Sequence, residues 1–209
     1  MGRHDDIRRI ARARGIEVLV HFTPAMNARS ILEHGLAGRS FLDAEGVEYW
    51  VTDSWRNDGR MDAVSLSISE VNYTMLRAKL LEMAEPWIIV GLDPQILWTH
   101  ECRFCWSNAS SREMVNHRGF TGGSWAFEKM FESIPVSFSD PRCRRKAWEM
   151  SDSQTTDNAA EVQVLRPISP ELITAIGIQS ERHRAAVDEL LTQTGRDIPV
   201  VLLDKVFEL

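Results

Sequence analysis

The longest apolar runs in this 209-residue chain, such as Trp87–Leu92, are only strand-sized. None approaches the roughly 20 residues that a membrane-spanning helix requires. A core has to be assembled from many short segments, whose types follow from their periods. Glu17–Phe22, Ala63–Ile68, Trp87–Leu92, Glu161–Leu165, Ile173–Ile178 and Val200–Leu203 read as strands. Asp5–Arg14, Asn72–Met83, Ser110–His117, Ser124–Glu132 and Glu181–Gln193 read as helices, with Gly15 ending the first and a further short helix after Asp93-Pro94. Thr23-Pro24 is expected to open another helix, with Thr23 as N-cap and Pro24 in the first turn, closing at Gly35. Residues 37–62 read as a polar loop holding a short strand, Tyr49–Thr52, and 139–160 as irregular. Strands mixed irregularly with helices predict an α+β fold, and the length suits one domain over 1–209. Neither G-x-x-x-x-G-K nor G-x-G-x-x-G occurs, which excludes the common glycine-rich phosphate loops.

Lys and Arg number 24 against 30 Asp and Glu, a net charge of -6, which argues against a protein that coats nucleic acid. The single dense basic run, Pro141–Trp148, departs from that average. Arg142, Arg144, Arg145 and Lys146 offer charge for phosphate, and Trp148 offers an aromatic face for a base. A solvated loop is the alternative. Any such binding is expected to be weak, salt-sensitive and short in footprint. Three cysteines and a polar, charged N-terminus argue against a disulfide framework and a signal peptide, so a cytoplasmic protein is expected. His100-Glu-Cys102-Arg-Phe-Cys105, with His117 beyond it, is half of a structural zinc site. Two reduced, buried thiols account for it equally, and no metal is expected.

Three further segments carry candidate chemistry. His21 and Thr23 flank Phe22, so period-2 geometry puts them on one strand face beside a helix start. They suit a polar ligand such as a ribose or amide, or a hydrogen bond within the core. Arg56 and Arg60 sit among the aspartates of Asp53–Asp62, fit to bind a phosphate or to form a solvated cluster. Glu161 opens a strand and shares a face with Gln163, where a carboxylate stabilises a developing cation or is simply exposed.

The order His21-Phe-Thr23, Ser30-Ile-Leu-Glu-His-Gly35-Leu, Arg56-Asn-Asp-Gly59, Ala63-Val-Ser-Leu-Ser-Ile-Ser69, Asn72-Tyr-Thr-Met75 and Ala160-Glu-Val-Gln-Val164 resembles the DarT family. These are bacterial toxins that use NAD to ADP-ribosylate a base of single-stranded DNA. The resemblance spans about 17–178 and implies an ADP-ribosyltransferase-like fold with a split central sheet flanked by helices. It implies His21, Phe22, Thr23, Ser30, Leu36 and Arg56 as NAD-binding residues, with Arg56 also supporting catalysis and Glu161 as the catalytic glutamate. The loop 139–160 would contact DNA through Arg142, Arg144, Arg145, Lys146, Trp148 and Thr155. No counterpart emerges for a group that deprotonates the base. The Ile68-Ser-x-x-Asn72-Tyr segment and the Ile96-Leu-Trp98…Cys102…Phe104-Cys105…Asn108-Ala109 segment are similar to the guanine-modifying rather than the thymine-modifying branch. A macrodomain antitoxin of the DarG type is the implied partner. Transfer to RNA or protein, or a non-catalytic NAD- or nucleic-acid-binding module, are the competing expectations.

The chemistry agrees with the resemblance. Breaking the nicotinamide–ribose bond develops oxocarbenium character, as in glycoside hydrolysis. Nicotinamide leaves as a neutral molecule, so one carboxylate suffices and no second acid is needed. An arginine suits the pyrophosphate.

Overall fold

The computed structural model describes residues 2–52, 56–83 and 85–208. Asp53, Ser54 and Trp55 of the charged segment lie outside the described residues. The strands are β1 (Leu19–Pro24), β2 (Val64–Ile68), β3 (Trp87–Leu92), β4 (Cys102–Cys105), β5 (Pro135–Ser137), β6 (Asp140–Cys143), β7 (Glu161–Val164), β8 (Ile173–Ile178) and β9 (Val200–Leu202). The helices are α1 (Arg3–Ala13), α2 (Ala28–His34), α3 (Arg39–Glu45), α4 (Tyr73–Glu82), α5 (Ile96–Thr99), α6 (Arg112–Asn116), α7 (Ser124–Lys129), α8 (Arg144–Ala147) and α9 (Arg184–Gln193).

Seven strands form one sheet in the order β4-β7-β2-β1-β3-β8-β9, and β5-β6 form a separate hairpin. All neighbours in the large sheet are antiparallel except β8 and β9. Helices flank this sheet on both sides. On β3, Ile88, Val90 and Leu92 enter the larger apolar cluster with α1, α2, α5, α7 and α9, while Trp87 and Ile89 enter a smaller one beneath α4. Burial on both faces is why this strand reads as an unbroken apolar run.

The sheet is not evenly joined. β1 pairs with β3 over six residues, from Leu19↔Leu92 to Pro24↔Trp87. With β2 it pairs only through Leu19↔Ile68 and Val20↔Ser67. Beyond Val20 the two strands part, and the split opens where His21 and Thr23 follow.

Several sequence-based expectations need correction. Thr23 does not cap a helix: the chain stays extended through Pro24 because β3 pairs with it to the end, and the Ala25 N–H donates to Pro86 O. The turn then enters as a 3-10 segment, Ala25–Asn27, before α2. Tyr49–Thr52 is not a strand, and the polar loop before it holds α3, a helix with no buried residue and hence no apolar period to read. Residues 102–105 form the edge strand β4 along β7. The irregular 139–160 region begins with β6 and α8. Gly35 does end α2, at φ +82, and a Cβ there would lie 1.9 Å from Ile168 O. Glycine alone permits both the backbone angle and this approach.

Candidate active site

A cavity of about 270 Å³ occupies the split. Its walls come from β1 (His21, Thr23), β2 (Ser65), the 3-10 turn (Asn27), the loop after α3 (Trp50, Arg56, Asp58), the loop after β4 (Asn108, Ala109) and the first residue of β7, Glu161. Segments far apart in sequence thus meet where two strands separate.

His21 spans the split. Its Nδ1 donates to Ser65 O at 3.0 Å, standing in for a missing ladder bond. Burial, opposed by that bond and aided by the Arg56 charge, lowers the His21 pKa and keeps the ring neutral. With the proton on Nδ1, Nε2 is left as an acceptor, suited to a sugar hydroxyl.

Glu161 lies beyond Ser65. Its Oε1 accepts the Ala109 N–H at 3.0 Å, and the Ser65 hydroxyl also bonds to it. Burial is the largest influence and raises the carboxyl pKa; the Ala109 and Ser65 bonds oppose it, the Asp58 charge adds to it and the Arg56 charge opposes it. A carboxylate desolvated and oriented in this way interacts strongly with a cation that forms beside it.

Arg56 is clamped. Its Nε and Nη2 donate to Asp58 Oδ1 and Oδ2 at 3.0 and 2.9 Å. Asp58 Oδ2 also accepts from Gln163 Nε2 at 2.5 Å, and Gln163 Oε1 accepts from Arg103 Nη1 at 2.7 Å. Burial would raise the Asp58 carboxyl, but its bonds to Arg56, Arg60 N–H and Gln163 outweigh that and hold it below its ordinary value. Gln163 is fully buried, two residues beyond Glu161 on the same strand. The clamp therefore ties the position of the arginine to the strand that bears the glutamate. Among the described residues none takes the Arg56 Nη1 donors.

Thr23 is buried on the cavity wall, and its Oγ1 accepts from Asn27 Nδ2 at 2.8 Å. Asn27 also grips the Trp50 backbone in both directions, donating to its carbonyl at 3.1 Å and accepting its N–H at 2.7 Å. The segment 49–52 is thereby strapped along the cavity, with Lys79 Nζ donating to Thr52 O at 2.8 Å. Phe22 contributes to the cavity wall while its ring packs against Trp87. Leu36 is buried in the wall and bridges to Ile168. Ser30 does not reach the cavity: Asn27 and Ile31, four residues apart, form the inward face of this segment.

The DNA-loop candidates divide. Arg145 Nη1 donates to Gln154 O and Thr156 Oγ1 at 2.6 and 3.0 Å, and its Nη2 donates to Ser151 O at 2.7 Å. It is the internal staple of its own loop. Thr155 is buried and donates to Asp157 O. Arg142 is paired with Asp140 through three side-chain bonds. Arg144 lies 5.1 Å over the Trp148 ring, leaving Trp148 exposed beside an exposed Lys146. Arg60 pairs with Asp62.

Cys102 and Cys105 are three apart on a strand, so their side chains leave opposite faces and do not share one ion. Burial pushes both thiols up to about 12. Among the described residues no three His, Cys, Asp or Glu side chains gather as a metal site, and none of the helices is long and apolar enough to cross a membrane.

Ser65, Asp58, Asn27 and the Ala109 N–H were not singled out from the sequence. Ser65 had a signal, since Val-Ser-Leu-Ser-Ile puts both serines on one face. Asp58 and Gln163 are 105 positions apart and leave no local mark.

A split sheet flanked by helices, holding this histidine, arginine and glutamate in one cleft, is an ADP-ribosyltransferase fold. Thermus sp. 2.9 DarT in complex with NAD+ superposes over 92% of this chain and 98% of that chain, with a TM-score of 0.62 at 16% identity. Its complex with ADP-ribosylated ssDNA superposes over 93% and 97%, with a TM-score of 0.55 at 14% identity. Thermosipho africanus DarTG in complex with ADP-ribose gives a TM-score of 0.58 at 15% identity; 91% of this chain is covered, but only 51% of that chain, so this chain spans about half its length. A comparison with curated proteins gives no significant match. The sequence-family model described as "ssDNA thymidine ADP-ribosyltransferase, DarT" matches residues 20–207. The chain belongs to the DarT family of NAD-dependent single-stranded DNA ADP-ribosyltransferases.

Proposed function

We propose that this chain, as one transferase domain over 1–209, moves ADP-ribose from NAD to a nucleobase of single-stranded DNA and releases nicotinamide. The observation that carries this reading is the meeting of His21, Arg56 and Glu161 on one cavity in the sheet split, within a DarT-family chain. His21 Nε2 accepts a hydroxyl of the NAD ribose. Arg56 offers its outward donors to the diphosphate. Glu161 faces the sugar carbon as its bond to nicotinamide breaks, stabilising the positive charge. A base nitrogen then bonds to that carbon and gives up its proton to solvent. A single strand supplies that base already unstacked.

Guanine is the proposed acceptor, supported by the Ile68–Tyr73 and Ile96–Ala109 segments; its exocyclic amine attacks while neutral. The description of the family favours thymidine, the second reading, whose ring N–H has to ionise to become a comparable nucleophile. The proposed setting is a bacterial toxin opposed by a macrodomain antitoxin of the DarG type, acting in the cytoplasm. Labelled NAD offered with four homopolymeric DNA oligonucleotides, the matching RNA and a protein mixture tests the proposal. Label on guanine-containing DNA is expected. Label on thymine alone overturns the base assignment, and label only on RNA or protein overturns the DNA reading.

A further inference from the structure

A group of aromatic side chains lies at the start of the loop that reaches Glu161. Trp106 immediately follows β4, His117 follows α6 and Trp125 lies on α7. The Trp106 ring stands edge-on to His117, at 4.9 Å and 84°, and to Trp125, at 5.7 Å and 76°. His117 and Trp125 are near parallel, at 21° with 6.2 Å between centroids. Lys129 Nζ sits 4.6 Å from the Trp106 centroid and 5.4 Å from that of Trp125. Trp106 is itself fixed by donating Nε1–H to Glu113 at 2.5 Å. Held by all of these contacts, Trp125 nevertheless remains 56% exposed.

An indole held this firmly offers a flat face with little ordering entropy left to lose. Its position says what would use it. Trp106 begins the loop Trp106-Ser107-Asn108-Ala109, whose last residue donates its N–H to Glu161. Three residues span at most about 11 Å. A smaller cavity, about 180 Å³, continues from Trp106 and Ser107 to Ile134 at the base of the β5-β6 hairpin and to Asp157. Trp106 thus joins the aromatic group to the base of the hairpin through this cavity and to Glu161 through its loop. Glu113, Glu132 and Asp157 line that smaller cavity against the single cation Lys129, so it repels a phosphate and accepts an uncharged ring.

Resting on the DNA-transferase reading above, we propose that Trp125 is a stacking platform for a nucleobase flanking the acceptor base on the same strand. Stacking is indifferent to base identity, so the platform fixes the strand beside Glu161 without setting which base is modified.

The test measures transfer to a short oligonucleotide by the full chain and by Trp125→Ala and Trp125→Phe, with NAD affinity read separately to show that the main cavity is intact. Trp125→Ala is expected to raise KM for the oligonucleotide about 10-fold or more with little change in kcat, and Trp125→Phe to recover most of it. With unchanged protein, abasic sites placed one at a time beside the acceptor should reproduce the loss at one position. At that position they should cost Trp125→Ala nothing further. An unchanged KM in Trp125→Ala, or additive losses at every abasic position, overturns the platform while leaving the transferase reading standing. Should the unchanged protein label no DNA at all, the transferase reading fails. Quenching of tryptophan fluorescence by the oligonucleotide then decides the platform alone, with equal quenching in Trp125→Ala counting against it.

Discussion

The two sides of the catalytic cleft are built differently. On the side proposed to hold NAD, His21–Ser65–Glu161 and Arg56–Asp58–Gln163 form two sets of bonds that meet on β7, with Gln163 buried and the other five side chains half-buried. On the side proposed to meet the acceptor, the 135–157 region is an exposed hairpin and short helix whose polar groups largely hold the region itself together. The buried side can orient charge before the reaction begins, because it has exchanged water for fixed dipoles. The exposed side can give up contacts cheaply and so follow a flexible strand. A pre-set catalytic half joined to an adaptable acceptor half suits an enzyme with one small co-substrate and one polymeric one.

Arg56 gives the largest test of this contrast. Arg56→Ala should lower transfer by about 10²-fold or more, measured as kcat/KM with labelled NAD. Asp58→Asn should lose about 10-fold, because it loosens the clamp without removing the cation. Combined, the two should cost little more than Arg56→Ala alone, since they act through one arrangement. Full additivity would mean that Asp58 does not position Arg56.

The acceptor side predicts a smaller and divided response. Arg145→Ala should lower the thermal midpoint by several degrees by freeing the carbonyls of Ser151 and Gln154. Lys146→Ala should leave the midpoint unchanged and weaken oligonucleotide binding only a few-fold, with a shallower salt dependence. A stability loss from Lys146→Ala, or none from Arg145→Ala, would reverse the division.

The smallest effect is on pH. Burial raises the Glu161 carboxyl, so its catalytic form is complete only above that raised value. Transfer should therefore fall with acid earlier than an ordinary carboxylate would allow. Burial holds His21 below its ordinary value, so its ring takes up a proton only at lower pH than a free imidazole does. In the same way, ionised Glu161 costs stability as pH rises through its folded-state value. Glu161→Gln should thus be the more stable protein near pH 8, with the advantage fading toward pH 4. An advantage that grows in acid would contradict the raised carboxyl.

What the sequence made legible follows the same boundary. Trp87–Leu92 could be read because both its faces are buried, and the shared face of His21 and Thr23 followed from strand period alone. Glu161 at a strand start and Gly35 at a helix end carried local marks. Ser65, Asp58 and Gln163 act through contacts that cross the sheet, which no window of sequence contains. The basic run failed in the opposite way. Arg142 to Lys146 look alike in sequence, yet Arg145 faces its own loop and Lys146 faces solvent. Likewise α3 buries nothing, so no apolar period announced it, and β4 looked like half a metal site because its two cysteines stand at C-x-x-C spacing.

The central claim is that one buried carboxylate in the sheet split drives transfer to DNA. Labelled NAD and a single-stranded oligonucleotide should yield labelled DNA with the unchanged chain. With Glu161→Ala, the label should fall by about 10²–10³-fold while the protein stays folded and still binds NAD. Equal labelling of DNA by both proteins would contradict the account.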